Sequence, residues 1–152
     1  MIIVKLLNKS NNPTPSYKTE GAAGFDLAVT EDAVIPTGTS KLLGTGIHVI
    51  IPPNHEGQLR LRSSMAKRGF IIPNAPGTID SDYRGEIKIP VACISRGNSV
   101  IMAGERIAQL VINRLPMASI KSVTEEEFEE ESTFRGSGGF GSTGSGINMA
   151  GL

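Results

Sequence analysis

The sequence predicts an all-β domain, and three observations support this prediction. Glycine and proline are frequent, at 18 and 9 of 152 residues, and they divide the chain into short segments. Polar and apolar residues alternate strictly in Gln58–Arg62, which is the period of a half-buried strand. The chain has seven aromatic residues and no tryptophan, so we expect a core of isoleucine, valine, leucine and alanine. At this length the chain forms one domain.

The first third of the chain alternates short strands with turns. Ile2–Leu7 is predicted to be the first strand, and a polar loop with two prolines follows it. Gly21–Val29 is the next strand, in which Asp26 interrupts apolar residues as either a turn-capping or a functional group. Ala33–Ile51 contains further short strands around a Pro-Thr-Gly turn. Asp26 is therefore the acidic candidate of this region.

The segment Arg62–Gly69 is predicted to contain a short helical turn. Ser63 or Ser64 can cap this turn, and Gly69 can end it. Hydroxyl groups, free backbone N–H groups and Arg62 at a helix start also make an anion site. A plain capped helix explains this segment equally well when it is taken alone.

The segment Asn74–Ile87, NAPGTIDSDYRGEI, carries the densest group of polar side chains. It holds two of the four aspartates, Asp80 and Asp82, beside Tyr83, one of only two tyrosines. A Pro-Gly turn signal and a second glycine frame the group, and the strand-like run IKIPVACI follows. We predict a hairpin of strand, polar loop and strand. By itself this pattern also fits a solvated hairpin tip.

The following region is predicted to return to strands. Ser99–Met102 and Ala103–Leu115 are strand candidates, the second buried, with Gln109 as its polar inward residue. A buried glutamine needs partners, so Gln109 either ties backbone together or faces a pocket. Ala118–Val123 is predicted to be the last strand, and the acidic run Thr124–Ser132 a solvated linker or short surface turn.

The C-terminal residues 135–146, RGSGGFGSTGSG, have the composition of a flexible linker. A linker needs neither Arg135 nor Phe140, however. Arg135 can bind phosphate, the glycines with Ser142 and Thr143 can wrap phosphates, and Phe140 can stack on a base. The segment is not a Walker loop, because no GK[ST] follows. We therefore predict a lid that orders on a ligand carrying phosphates and a base.

The charge distribution favours a compact anionic ligand. Fifteen basic and fifteen acidic residues balance, but six of the acids lie in Thr124–Ser132, which leaves a basic remainder. This surplus is too small for a duplex, and no stripe of basic and aromatic residues indicates nucleic-acid binding. With only His48 and His55, a histidine-based metal site or base is not expected, so any general base is a carboxylate.

The sequence also predicts an intracellular protein that does not associate with membranes. Cys93 has no second cysteine to pair with and lies in an apolar run, so we expect it to be buried in a reducing compartment. The apolar run MIIVKLL is too short for a signal peptide or a membrane span. We expect a cytoplasmic protein, or a nuclear or other host-cell protein if it is viral, and not a secreted one.

Five segments resemble, in order and roughly in spacing, the five motifs of the homotrimeric dUTPases. They are GAAGFDLAV, RSSMAKRG, NAPGTIDSDYRGEI, GERIAQL and RGSGGFGSTG, and together they span residues 21–144. The resemblance implies a distorted jelly-roll-like β-barrel or sandwich of short strands with one short helix, assembled as a homotrimer with shared active sites. It divides the chain into a core, 1–134, and a flexible Gly-rich lid, 135–152.

The resemblance further implies Mg²⁺-dependent hydrolysis of dUTP to dUMP and pyrophosphate, which keeps uracil out of DNA and supplies dUMP for thymidylate synthesis. It gives Asp80 the activation of the water that attacks the α-phosphorus. Tyr83 packs under the deoxyribose and disfavours a 2'-hydroxyl, and Asn74 with the hairpin backbone reads the uracil edge. The implied positions on substrate are completed by Arg62, Ser63, Ser64, Gly77, Thr78, Ile79, Lys88, Gln109, Arg135, Phe140, Gly141, Ser142 and Thr143, with Asp26 near the metal, acting through water.

Two alternatives follow from the same residues. Ser64 stands where the family commonly has glycine, which resembles the related dCTP deaminases, so a dCTP deaminase or a bifunctional deaminase and dUTPase is one alternative. A catalytically idle regulatory trimer is the other. The DSDYRGE segment and the complete C-terminal motif favour the hydrolase over the deaminase.

Overall fold

The backbone is built mainly from short strands. The computed structural model describes residues 2–96, 99–140 and 142, and eleven strands and two helices occur among them. The strands are β1 (Lys5–Asn8), β2 (Phe25–Ala28), β3 (Ala33–Ile35), β4 (Ser40–Gly44), β5 (Ile47–Ile50), β6 (His55–Leu61), β7 (Phe70–Ile71), β8 (Gly77–Ile79), β9 (Lys88–Cys93), β10 (Ser99–Ile101) and β11 (Arg106–Arg114). The helices are α1 (Ser63–Lys67) and α2 (Glu125–Glu130). This confirms the prediction of a mostly β protein and corrects the expectation of one short helix.

All strand pairs are antiparallel, and they form four small sheets. The orders are β2-β11-β6-β8, β4-β9-β7, β1-β5 and β3-β10. β11 has nine residues and lies between β2 and β6, so it organises the largest sheet. In the described part of the chain these sheets do not join into one closed barrel, and the jelly-roll arrangement stays a prediction.

The core consists mainly of aliphatic side chains from alternate strand positions, as predicted. In β2 and β5 buried residues alternate with half-buried or exposed ones, which places one face of each strand inward. Leu27, Ile35 and Ile89 are fully buried, and Phe70 is the largest side chain with no exposed surface. Cys93 is buried too, as its apolar neighbours indicate.

Truncation of a core side chain in β9 is expected to destabilise the protein strongly. Ile89→Ala removes a fully buried side chain, and the lost burial plus the residual cavity should lower the free energy of unfolding by about 2–5 kcal/mol. Ile94→Ala is the matched control, because Ile94 is exposed and an exposed truncation should change that free energy by about 0.5 kcal/mol or less. Equal denaturant midpoints for the two variants would contradict this core.

The described chain separates into two compact units, residues 1–117 and 118–152. The first unit contains all eleven strands and α1, and the second contains α2. This division lies upstream of the predicted boundary at 134/135, which concerns the lid and stays a prediction. Neither described helix is long and apolar enough to cross a membrane.

Several predicted strands differ from those in the structure: β2 begins at Phe25 rather than Gly21, and β11 begins at Arg106 rather than Ala103. The first strand is Lys5–Asn8 rather than Ile2–Leu7. The prediction of a strand at Ala118–Val123 is wrong, because these residues have no ladder partner among the described strands. A strand needs a neighbour for its backbone N–H and C=O groups, and the local sequence cannot show whether one is present.

The acidic run forms a helix instead of a linker or turn. Thr124 is the N-cap of α2: its hydroxyl accepts a hydrogen bond from the backbone N–H of Glu127, and the Glu127 carboxylate accepts one from the Thr124 N–H. Glutamates in the first turn also interact favourably with the helix dipole. The Thr-x-x-Glu spacing is a capping-box signal that was visible in the sequence.

Asn74–Ile87 is not a hairpin. β8 pairs with β6, whereas β9 pairs with β4 and β7, so the strands on either side of the polar loop belong to different sheets. The loop from Asp80 to Ile87 therefore crosses from one sheet to another. The turn residues correctly predicted a loop between two strands, but they did not predict the partners of those strands.

Candidate active site

A cleft of about 310 Å³ lies beside the loop that connects β8 to β9. We call it the Asp80 cleft, and it brings together seven predicted site residues from separate strands and loops. Those residues are Asn74, Gly77, Thr78, Ile79, Asp80, Tyr83 and Lys88. The remaining lining residues are Leu42, Leu59, Glu86 and Pro90. Apolar walls with a few converging polar groups are typical of a small-molecule site.

One wall of the cleft is formed by β8, the edge strand of its sheet. Gly77 pairs with Leu59 and Thr78 with Gln58 of β6, and no other described strand borders β8. An edge strand leaves backbone N–H and C=O groups unpaired on its outer side. β8 can therefore present fixed hydrogen-bond donors and acceptors to a planar ligand such as a base.

The loop after β8 is closed by its own hydrogen bonds. The Tyr83 backbone N–H donates to the Asp80 carbonyl at 3.1 Å, and the Arg84 guanidinium donates to the Ser81 carbonyl at 2.7 Å. The Asp80 side chain remains exposed at the mouth of the cleft. An exposed carboxylate on a fixed turn can approach a ligand-bound water without first losing a partner.

Tyr83 packs against the backbone of its own loop. Its hydroxyl donates to the Glu86 carbonyl at 3.0 Å. A Cβ atom at Gly85 would lie 2.3 Å from the Tyr83 hydroxyl oxygen, so glycine is required for this close approach. Tyr83 is 43% exposed and lines the cleft, so it is accessible to a ligand.

Two further predicted residues, Asp26 and Arg62, meet Arg106 where β2, β11 and the start of α1 come together, and we call this group the Asp26 cluster. Asp26 Oδ1 lies 3.4 Å from Arg62 Nε, and Asp26 Oδ2 lies 3.1 Å from Arg106 Nη1. Arg62 Nη1 also donates to the Arg106 carbonyl at 3.0 Å. Two guanidinium groups against one carboxylate leave a positive surplus, which favours an anion.

Arg106 was missed as a site residue, although it lies within the GERIAQL segment. The register of β11 supplies the missing signal, because Arg106 pairs with Ala28 of β2 and Gln109 with Asp26 itself. Directly opposed residues project to the same face of a sheet. Gln109 is half-buried and, because it is opposed to Asp26, lies on the same face of the sheet as Asp26; its role toward a ligand stays a prediction.

The helix-start interpretation of Arg62–Gly69 is corrected in one respect. Arg62 is the N-cap of α1 and no side chain caps the helix, so neither Ser63 nor Ser64 is the capping group. Both serines are exposed first-turn residues of a five-residue helix. Gly69 follows the helix with a φ of 80°, as expected of a glycine that ends it.

The C-terminal candidate residues lie in the second unit, residues 118–152. The Arg135 guanidinium donates to the Gly138 carbonyl at 2.9 Å, and the Ser142 N–H donates to the Gly139 carbonyl at 3.0 Å. Phe140 is fully exposed. The predicted positions Gly141 and Thr143 lie outside the described residues.

Comparisons with known proteins agree on one family. The sequence model of the dUTPase family matches residues 10–144. The deoxyuridine 5'-triphosphate nucleotidohydrolase of Ehrlichia canis is 43% identical over 148 residues, covering 94% of this chain and 95% of its own length. That of Finegoldia magna is 45% identical over 144 residues, covering 93% and 98%. A mutant of Staphylococcus bacteriophage 80alpha dUTPase with dUpNHpp matches with a TM-score of 0.83 at 25% identity, over 95% of this chain and 99% of that chain.

Proposed function

The chain belongs to the dUTPase family and hydrolyses dUTP, and from this premise we propose how its residues carry out the reaction. The nucleoside of dUTP binds in the Asp80 cleft. The phosphates extend to the positively charged site that an Asp26 cluster forms. The single observation that carries the proposal is the Asp80 cleft, where seven residues of the predicted site line one cavity.

The cleft has the geometry to select both the base and the sugar. The outer edge of β8 and the Asn74 amide offer hydrogen-bond groups to uracil, and the donor and acceptor pattern at its 4-position is reversed in cytosine. Tyr83, fixed over Gly85, offers a ring face to the deoxyribose. A 2'-hydroxyl placed against that face would be desolvated without a partner, so ribonucleotides are disfavoured.

Asp80 is the general base in this proposal. Its carboxylate accepts a proton from a water that attacks the α-phosphorus, the bond from that phosphorus to the bridging oxygen breaks, and pyrophosphate leaves. Among the described residues that line this cleft there is no histidine, and the acidic residues are Asp80 and Glu86. Glu86 is less suited to act as the base, because one of its carboxylate oxygens accepts hydrogen bonds from two backbone N–H groups. Arg62, Gln109 and Lys88 bind the phosphates together with Ser63 and Ser64.

The residues of the chain fit a Mg²⁺ ion that is held mainly by the substrate. In the described ranges no group of three or more His, Cys, Asp or Glu side chains converges, and both Asp26 oxygens face arginines. Mg²⁺ keeps several waters and takes ligands from substrate phosphates. Asp26 would hold it through water, and bound Mg²⁺ would neutralise the triphosphate and assist pyrophosphate departure.

A homotrimer with shared sites is part of the proposal. The stretch after β11 exposes Leu115, Met117, Ile120 and Val123, and Ile120 is 99% exposed. Exposed apolar side chains that follow one another closely along the chain are typical of segments that another chain covers. Association would also bring the lid residues Arg135 and Phe140, with Gly141, Ser142 and Thr143, to a neighbouring chain's cleft.

Purified protein with Mg²⁺ and dUTP is expected to release one pyrophosphate per dUMP, and chelation of the metal should slow this release. The rate should be measured by a coupled pyrophosphate assay, with dCTP as the matched nucleotide. We expect no ammonia from dCTP, since the pattern at the 4-position of cytosine opposes that of uracil. Ammonia release would support the deaminase instead, and the absence of pyrophosphate from dUTP would support an idle trimer.

A further inference from the structure

Glu86 ends the loop of the Asp80 cleft, and its side chain is bonded to a distant turn. Its Oε1 atom accepts hydrogen bonds from the backbone N–H groups of Thr45, at 3.0 Å, and Gly46, at 2.8 Å. Thr45 and Gly46 form the turn between β4 and β5. The Glu86 side chain is 27% exposed, and both hydrogen bonds are partly buried.

The residue after Glu86 is bonded to the same turn. The Thr45 hydroxyl, which is almost completely buried, donates to the Ile87 carbonyl at 2.6 Å. The Ile87 N–H donates to the Ile47 carbonyl at 2.8 Å. Together with the two hydrogen bonds to Glu86, these two bonds attach both Glu86 and Ile87, at the end of the loop, to the β4–β5 turn and the start of β5.

The position of Tyr83 depends on this fixed end. Its hydroxyl donates to the Glu86 carbonyl, and its ring lies against Gly85. Tyr83 therefore takes both its hydrogen bond and its packing surface from backbone that Glu86 holds in place. A shift of residues 85 and 86 would move the tyrosine with them.

We propose that Glu86 is a positioning residue that sets the discrimination between dUTP and UTP by fixing the backbone on which Tyr83 rests. The inference rests on the proposed function, in which Tyr83 faces the deoxyribose. Glu86 itself is not assigned a contact with the substrate, because Oε1 is bonded to the turn and a carboxylate repels phosphate.

The geometry of the carboxylate, rather than its charge, carries this role. Lys88 Nζ lies 3.9 Å from Glu86 Oε2 and is half exposed, and such an exposed pair contributes little. The bonds to Thr45 and Gly46 instead require an acceptor at the correct distance from the backbone. An amide oxygen on a side chain of the same length satisfies this requirement, whereas a shorter carboxylate does not.

Three variants separate distance from charge. Glu86→Gln keeps the reach and loses the charge, Glu86→Asp keeps the charge and loses one methylene, and Glu86→Ala loses both. The ratio of kcat/KM for dUTP to that for UTP should stay near the wild-type value in E86Q. It should fall by about ten- to a hundredfold in E86D and E86A, the scale expected when a positioning group is displaced by about 1 Å.

A second measurement follows Tyr83 directly and does not depend on turnover. The chain has two tyrosines and no tryptophan, so Tyr17→Phe leaves Tyr83 as the only strongly fluorescent side chain. Phenylalanine preserves the edge-to-face contact of ring 17 with Phe25. In this background E86D and E86A should increase quenching of Tyr83 by acrylamide, and E86Q should not.

The outcomes distinguish this inference from the proposed function. Unchanged selectivity and unchanged quenching in E86D and E86A would overturn the role of Glu86, as would equal losses in E86Q and E86D. Tyr83→Ala is the reference variant. If it retains the wild-type ratio of kcat/KM for dUTP to that for UTP, the proposed contact of Tyr83 with the sugar is wrong. In that case acrylamide quenching in the Glu86 variants still decides whether Glu86 positions Tyr83. Should E86A fail to fold, the comparison of E86Q with E86D carries the test.

Discussion

Asp80→Asn is expected to lower kcat for dUTP by about 10²- to 10⁴-fold, the usual contribution of a general base. Asparagine has nearly the same shape as aspartate but cannot accept the proton of the attacking water. The Asp80 side chain is exposed and no hydrogen bond of the described structure uses it, so the substitution should leave the loop in place. Pre-steady-state and steady-state release of pyrophosphate measure the loss.

Asp82→Asn is the matched control for this variant. Asp82 lies two residues further along the same exposed loop and does not line the Asp80 cleft. It carries the same charge, so a general electrostatic effect of the loop would slow both variants alike. The affinity for a non-hydrolysable dUTP analogue, measured by calorimetry, should be nearly unchanged in both. Turnover of D80N close to that of D82N would remove Asp80 from its role.

Deletion of residues 135–152 is expected to leave a folded protein with dUTP turnover reduced by about a hundredfold or more, the scale of lost substrate positioning. All eleven strands and the buried core lie in the unit 1–117, so the fold does not require the deleted residues. Thermal unfolding should be close to that of the full chain. Sedimentation should still give three times the mass of one truncated chain.

A pair of point variants tests the lid without deleting it. Phe134 and Phe140 are both fully exposed aromatic residues of the unit 118–152. Phe140→Ala should weaken binding of the dUTP analogue by about 1–3 kcal/mol, the contribution of one aromatic–base stack, whereas Phe134→Ala should not. Full activity of the truncated chain, or equal effects of the two substitutions, would refute the lid.

Much of the site could be predicted because its residues are close in sequence. Asn74, Gly77, Thr78, Asp80 and Tyr83 lie within ten residues, and a turn-rich loop of this kind keeps such neighbours together. The start of α2 could also be predicted from local sequence. The Thr-x-x-Glu pattern at Thr124 and Glu127 is a capping box, which favours a helix over the predicted linker. In this segment the capping pattern, and not the high charge, decides the local structure.

Contacts between residues far apart in sequence could not be predicted in the same way. Arg106 meets Asp26 across 80 positions, and Glu86 reaches the Thr45–Gly46 turn across about 40. Each contact depends on which strands become neighbours. The sequence around Ile79 indicates a strand but does not indicate that its partner is β6 rather than β9.

The sequence alone thus determined that this protein is mostly β and that its motifs resemble those of dUTPases, and this resemblance implies Asp80 as the base. The fold class depends on alternation and turn residues, and the resemblance depends on motif order and spacing, all of which are local features of the chain. The tertiary structure decided that the loop joins two sheets, that two arginines contact Asp26, and that the Glu86 side chain bonds to the Thr45–Gly46 turn. Strand pairing depends on burial and backbone hydrogen bonding across the whole chain, and no local pattern encodes it.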